Sequence, residues 1–260
     1  MASRIKDRID TAARFTQADA DALNARFAGV DPGTMLTQLF ADHDLGRVAV
    51  VSSFGTESAV LLHLVAQADP TTEVIFVDTL KMFQETLDYR TLLLDRLGLH
   101  NSSVVQPDAD VLAKKDDSGL RWSYDPDGCC EIRKVEPLKR AKNGLDAWIS
   151  GRKAFQSVTR QNLPRFEIED GRLKINPLGD WTKQDLDAYF AAHDLPRHPL
   201  EALGYLSVGC EPCTSTVKPG EDPRAGRWRG WDKTECGIHS STVPETRDSE
   251  ELPPGFEPAF

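Results

Sequence analysis

Five cysteines carry most of the chemical information in this 260-residue chain, and their spacing sorts them into three groups. Cys129 and Cys130 are adjacent, Cys210 and Cys213 flank Glu-Pro, and Cys236 stands alone between Glu235 and Gly237. The two pairs supply four thiolates, a set that suits tetrahedral zinc or an iron–sulfur cluster. Adjacency favours the cluster. Successive side chains diverge by about 100° on a helix and face opposite ways on a strand, so neighbouring thiolates reach separate iron corners more readily than one ion. Spacing alone leaves a cluster, a zinc ion and inert thiols open. Cys236 is the odd thiol out. A lone cysteine is more often buried and inert than catalytic, but this one lies in a glycine-flanked, aperiodic stretch close to Lys233 and His239, which suits a reactive thiol.

A second set of residues suits an anion. Ser52-Ser53-Phe54-Gly55-Thr56-Glu57-Ser58 falls where an apolar run hands over to a helical pattern. Gly55 allows close backbone approach, the first helical turn offers free N–H groups, and the serines add hydroxyl donors. The turn has neither the lysine of a Walker A loop nor the Rossmann glycine pattern, and such turns are often purely structural. Asp78-Thr79 closes a second apolar run, and Arg152-Lys153 follows a third. Surface cations are the plainer reading of the latter pair. Arg224 and Arg227, three residues apart and followed by Trp228 and Trp231, suit a clamp on a sulfonate.

These residues need a scaffold, and the periodicity predicts one. Val48–Ser53, Glu73–Asp78, Ser103–Gln106, Ala147–Ser150 and Leu173–Asn176 read as short strands. Helices are expected over 57–67, 83–97 and from Thr182 onward. The alternation predicts an α/β fold with a doubly wound, mainly parallel sheet and ligands at the carboxyl ends of the strands. Residues 1–45 read as a helical segment opened by a Thr16–Asp19 capping pattern, with Ala22, Leu23, Ala25 and Phe27 apolar and a break at Pro32-Gly33. Residues 46–214 read as the nucleotide-binding domain with the thiolate site. Residues 215–260, rich in Gly, Pro and charge, read as a flexible tail carrying Cys236. A net charge of −10 argues against nucleic acid as partner, and no apolar run reaches membrane-spanning length. No signal-peptide core follows the first residues, so the expected location is cytoplasmic.

Five segments, in order, resemble the sulfonucleotide reductases, also called PAPS reductases, of the adenine-nucleotide α-hydrolase-like superfamily. The Ser52–Ser58 turn is similar to the phosphate loop of that superfamily, with Phe54 and Glu57 where its ATP-using members have glycine and aspartate. Phe76–Thr86 resembles the second motif, with Leu80 in place of a glycine. Asp127–Leu138 and Val208–Thr214 resemble the two cysteine segments of bacterial and plant-type adenosine 5′-phosphosulfate reductases. Glu235-Cys-Gly-Ile-His239 resembles the family's ending. Gly151–Ser157 and Arg224–Trp231 are looser matches: Lys153, Ala154 and Phe155 replace Arg-Arg-acid, and Arg229-Gly230 interrupts the tryptophan run.

The resemblance implies a [4Fe–4S] cluster on Cys129, Cys130, Cys210 and Cys213, and Cys236 as nucleophile. It implies that Lys134 couples cluster and substrate electrostatically. Substrate is expected at Ser52, Ser53, Phe54, Gly55, Thr56, Glu57, Ser58, Asp78, Thr79, Lys134, Arg152, Lys153, Arg224, Arg227 and His239. The implied activity is thioredoxin-dependent reduction of adenosine 5′-phosphosulfate to sulfite and AMP, by a chain expected to form a homo-oligomer. The rivals are preference for the 3′-phosphorylated substrate, an ATP-dependent thiolation or amidation enzyme, and a cluster-bearing sensor without turnover.

Overall fold

The computed structural model describes residues 13–42, 45–156 and 163–239. In chain order its elements are α1 (Gln17–Arg26), α2 (Pro32–Asp42), β1 (Val48–Ser52), α3 (Ser58–Ala68), β2 (Glu73–Val77), α4 (Gln84–Leu97), β3 (Ser102–Val105) and α5 (Ala109–Lys115). Then follow α6 (Pro126–Cys130), a π-helical turn (Glu131–Val135), α7 (Glu136–Ala141), β4 (Ala147–Ser150), β5 (Phe166–Glu169), β6 (Arg172–Ile175) and α8 (Lys183–Ala192). The strands form one six-stranded sheet in the order β3-β2-β1-β4-β6-β5, parallel throughout except for the β5–β6 pair. This is the doubly wound, mainly parallel sheet the alternation predicts.

The strands are apolar on both faces because both faces are covered. Val50, Val74, Phe76 and Ile149 point into the larger core, which holds buried residues of α1, α2, α3, α4 and α8. Their neighbours Ala49, Ile75 and Trp148 face the other way, onto Leu138 of α7 and Leu145. Ile238 packs against this second, smaller cluster.

The helical N-terminal segment joins the same core. The capping box of Thr16 and Asp19 opens α1, and Ala20, Leu23 and Phe27 are its buried face. Ala22 and Ala25 are exposed instead, because the 3.6-residue period runs through 20, 23 and 27. Pro32 is the first residue of α2, where its missing N–H costs nothing, so the expected break is a helix start. Asn24 closes the sheet edge, donating to the Phe166 carbonyl (2.7 Å) and accepting from the Phe166 N–H (3.0 Å). Residues 1–12, part of the expected helical segment, lie outside the described residues.

Strand β5 is additional to the strands the periodicity predicts, though its signal is present in the sequence. Asp170 and Gly171 take φ of 52° and 74°, the left-handed pair of a tight hairpin, between the alternating Phe166–Glu169 and Arg172–Ile175.

Candidate active site

The sheet order reverses direction at β1, which pairs with β2 on one side and β4 on the other. Such a switch point leaves a crevice at the carboxyl ends of the two strands, where helices do not cover them. A cavity of about 240 Å³ lies there. Ser52, Ser53, Gly55, Thr56, Glu57, Ser58, Thr79, Lys134, Arg152, Lys153, Arg224, Arg227, Cys236 and His239 all line it. Residues more than 180 positions apart thus meet at one site. Phe54 and Asp78 do not line it. Phe54 adopts a left-handed φ of 50° and turns its fully buried ring edge-on to Phe76, 5.4 Å between centroids. Asp78 accepts from the Leu80 N–H (2.9 Å) and from Gln106 (2.8 Å), holding the turn after β2.

Local chemistry shapes the phosphate turn. Ser52 accepts from the Phe54 N–H at 3.2 Å, and the Gly55 carbonyl accepts from the Ser58 N–H at 3.0 Å. Thr56 donates to the Leu206 carbonyl at 3.1 Å, drawing the 206–209 loop over the crevice. On the β4 side, Lys153 is buried and donates to Glu57 (2.9 Å) and to the Gly151 carbonyl (3.0 Å). Gln156 donates to the same Glu57 oxygen at 2.8 Å. Glu57 and Lys153 therefore face each other across the crevice, and Arg152 is drawn to Glu167 (3.1 Å).

The cysteine pair sits on a helix that changes pitch. Asp125 caps α6, and the Glu136 N–H reaches back five residues to the Glu131 carbonyl, the mark of a π turn. Pro137 follows at once; it lacks an N–H and needs room against the preceding turn, which the wider π turn supplies. The turn directs Arg133 and Lys134 inward, and both are buried. Arg133 donates to Asp116 and to the Thr79 carbonyl (2.9 Å), tying this helix to the end of β2. Sequence reasoning missed Arg133, whose partners lie 17 and 54 residues away.

Cys129, Cys130 and Cys210 are buried and Cys213 is half-buried. Cys210 Sγ lies 3.2 Å from Thr79 Oγ1, and the backbones of Met82 and Cys210 bridge. Burial, then the like charge of Cys130 and Cys210, pushes the Cys129 thiol up to about 12. Burial pushes Cys130 up to about 11 despite Lys134. At Cys210 burial is outweighed by Lys134, the Thr79 hydrogen bond and Arg227, so its pKa falls. Burial opposes the charge on Lys134, but Cys210, Cys130 and Cys236 outweigh it and raise its pKa. Burial disfavours charge on three of these four soft sulfur ligands, and a cationic, thiophilic guest would offset that cost by stabilising their thiolate forms. Among the described residues, no three His, Cys, Asp or Glu side chains group to hold a single metal ion.

The segment after Cys213 is seated on the site. Thr214 and Arg227 form an antiparallel bridge, and the Trp228 N–H donates to the Cys213 carbonyl at 3.0 Å. Glycine is required at 226, where a Cβ would lie 2.1 Å from the Ser215 carbonyl oxygen, and Gly209 leaves the space that the Arg227 guanidinium occupies. Arg227 donates to the Val208 carbonyl (3.2 Å) and rests 4.5 Å from the Trp228 ring centre. Arg224 donates to the Thr234 carbonyl at 2.8 Å. His239 stacks parallel to Trp148 of β4, 5.8 Å between centroids. The part of the expected tail beyond His239 lies outside the described residues.

The fold and crevice define an α/β protein of the nucleotide-binding type, with a thiol and several cations converging at its switch point. Residues 47–216 match the phosphoadenosine phosphosulfate reductase domain, and the chain belongs to that family. An adenosine 5′-phosphosulfate reductase of Mesorhizobium japonicum is 47% identical over 90% of this chain and 92% of its own. One of Chelativorans sp. is 52% identical over 75% and 80%. The crystal structure of a phosphoadenylyl-sulfate (PAPS) reductase from Candida auris, a phosphate complex, superposes with a TM-score of 0.67 at 28% identity. It covers 79% of this chain and all of that one.

Proposed function

We propose that this protein reduces adenosine 5′-phosphosulfate to sulfite and AMP in sulfate assimilation, with a thioredoxin as reductant. The observation that carries the reading is the convergence of Cys236, Arg224, Arg227 and Lys134 with the Ser52–Ser58 turn on one cavity. The turn and its helix N-terminus receive the nucleotide phosphate, and the cations meet the sulfate end.

The thiolate of Cys236 attacks the substrate sulfur. An S–S bond forms, the bond from sulfur to the phosphate oxygen breaks, and its electron pair leaves with AMP. Arg224 and Arg227 offset the charge of the resulting thiosulfonate. A thioredoxin thiolate then attacks Cys236 Sγ, sulfite departs with the S–S electron pair, and the second thioredoxin thiol resolves the mixed disulfide. Two electrons pass from dithiol to sulfur. Cys129, Cys130, Cys210 and Cys213 are the residues that would hold a [4Fe–4S] cluster, which would supply a redox-capable iron–sulfur centre to this corner of the site when bound. Lys134 lies between those thiolates and the cavity, so its charge serves both. In this reading the reaction runs in the cytoplasm and needs neither nucleic acid nor membrane; among the described residues no helix is long and apolar enough to cross one.

Mixing the protein with adenosine 5′-phosphosulfate alone should release AMP once and leave a sulfonate-sized mass on Cys236. Thioredoxin should discharge it as sulfite. Cys236→Ser should bind AMP yet acquire no adduct; sulfite release from that variant would refute the assignment. The name of the Candida auris structure favours a second reading, in which the 3′-phosphorylated nucleotide is preferred. Comparing kcat/KM on the two nucleotides decides between them.

A further inference from the structure

Cys236 lies between two anchor points that its own reaction does not explain. Downstream, Gly237 turns the chain with φ of 84°, Ile238 enters the cluster around Trp148, and His239 stacks on that ring. Upstream, Lys233 forms an ion pair with Asp127. This pair is asymmetric. The Lys233 side chain is only 7% exposed while Asp127 is 61% exposed. The lysine stem is buried beside Trp228, its ammonium 5.4 Å from the ring centre, and emerges at the acid.

Asp127 has no capping task that would explain it. The cap of α6 is Asp125, which accepts from the Gly128 N–H at 2.8 Å and pairs with Arg121 at 2.7 Å. Asp127 instead stands two residues before Cys129, and Lys233 three residues before Cys236. Three residues of extended chain span at most about 10 Å. A link at Lys233 therefore restricts where the Cys236 thiol can go.

We propose that the Lys233–Asp127 ion pair is a latch that registers the Cys236 segment against the helix bearing Cys129 and Cys130, making Lys233 a positioning residue for the thiol. The reaction reading of Cys236 gives the latch its purpose, but the latch has its own observable. Opening it lets the segment lift off Trp228, so the thiol spends more time in solvent.

The test uses the full-length protein as isolated, with iodoacetamide alkylation of Cys236 followed by peptide mass mapping. Asp127→Asn and Lys233→Ala should each raise the alkylation rate about two- to five-fold, the range open to a partly exposed pair. The double variant should add nothing further, because both remove one interaction. Lys233→Arg should restore the wild-type rate. Raising salt from low to high concentration should speed alkylation of the wild type and leave Asp127→Asn unchanged, a response that loss of packing alone does not produce. Asp127 is exposed, so its variant tests the latch without disturbing the core. A wild-type rate in Asp127→Asn overturns the latch, as does an effect of Lys233→Ala that Asp127→Asn does not share. Sulfite release from Cys236→Ser would remove the reaction reading and leave these rates as they are.

Discussion

Arg133 places both Nε (2.9 Å) and Nη2 (2.6 Å) on one carboxylate oxygen of Asp116, and both side chains are buried. With its Nη1 donating to the Thr79 carbonyl, Arg133 joins three segments: the loop after α5, the end of β2 and the helix of the cysteine pair. The pair holds two walls of the site together without touching the cavity.

Asp116→Ala should therefore be costly. Removing the acid leaves a buried guanidinium without its counter-charge, a loss of about 3–5 kcal/mol. Urea unfolding should show a large fall in midpoint. A change below about 1 kcal/mol would mean that water reaches Arg133 and the pair is not a structural tie.

Protein purified without oxygen should contain about four irons and four acid-labile sulfides per chain, the content of a [4Fe–4S] centre. Cys129→Ser and Cys210→Ser should each lose most of that content while Cys236→Ser keeps it. Stoichiometric zinc without sulfide would refute the cluster.

His198 should make stability depend on pH. Its Nδ1 accepts from the Leu200 N–H (3.2 Å), its Nε2 meets Thr86 Oγ1 (3.1 Å), and the ring is almost wholly buried. Burial outweighs the nearby Glu85 and lowers its pKa from 6.5 to about 4. The folded protein then binds fewer protons than the unfolded chain between those values, so stability is full above pH 6.5 and falls towards pH 4. The loss attributable to His198 is about 2–3 kcal/mol. His198→Gln should flatten this part of the profile in urea titrations across pH 7.5 to 4; an unchanged slope would assign the dependence to other groups.

Leu80 should be a stabilising site. It adopts φ of 60° in the turn after β2 with its side chain 52% exposed, a conformation that strains any residue with a Cβ. Leu80→Gly removes the strain and adds some unfolded-chain entropy, for a net gain of about 0.5–1 kcal/mol. The urea midpoint should rise at constant m-value; a fall would show that the leucine makes compensating contacts.

Much of the fold is legible in the sequence, because near neighbours decide it. Runs such as Val48–Ser52 and Glu73–Val77 are apolar without helical period, and a chain of short strands and helices has few ways to bury both strand faces. The Thr16 and Thr182 capping boxes are local for the same reason. The cysteine pairs and the Ser52–Ser58 turn also announce themselves by spacing. Tertiary structure alone decided how these parts meet. Nothing near Glu57 indicates that Lys153, 96 residues on, faces it, nor does anything near Asp116 point to Arg133. The left-handed backbone at Phe54 is likewise invisible in its residue type; only the space beside Phe76 makes burying that ring worth the strain. The docking of the Cys236 segment on Trp148 and Asp127 belongs to the same class. Such pairings are chosen by the sheet order, which brings distant strand ends to one crevice, and they leave no short-range trace in the chain.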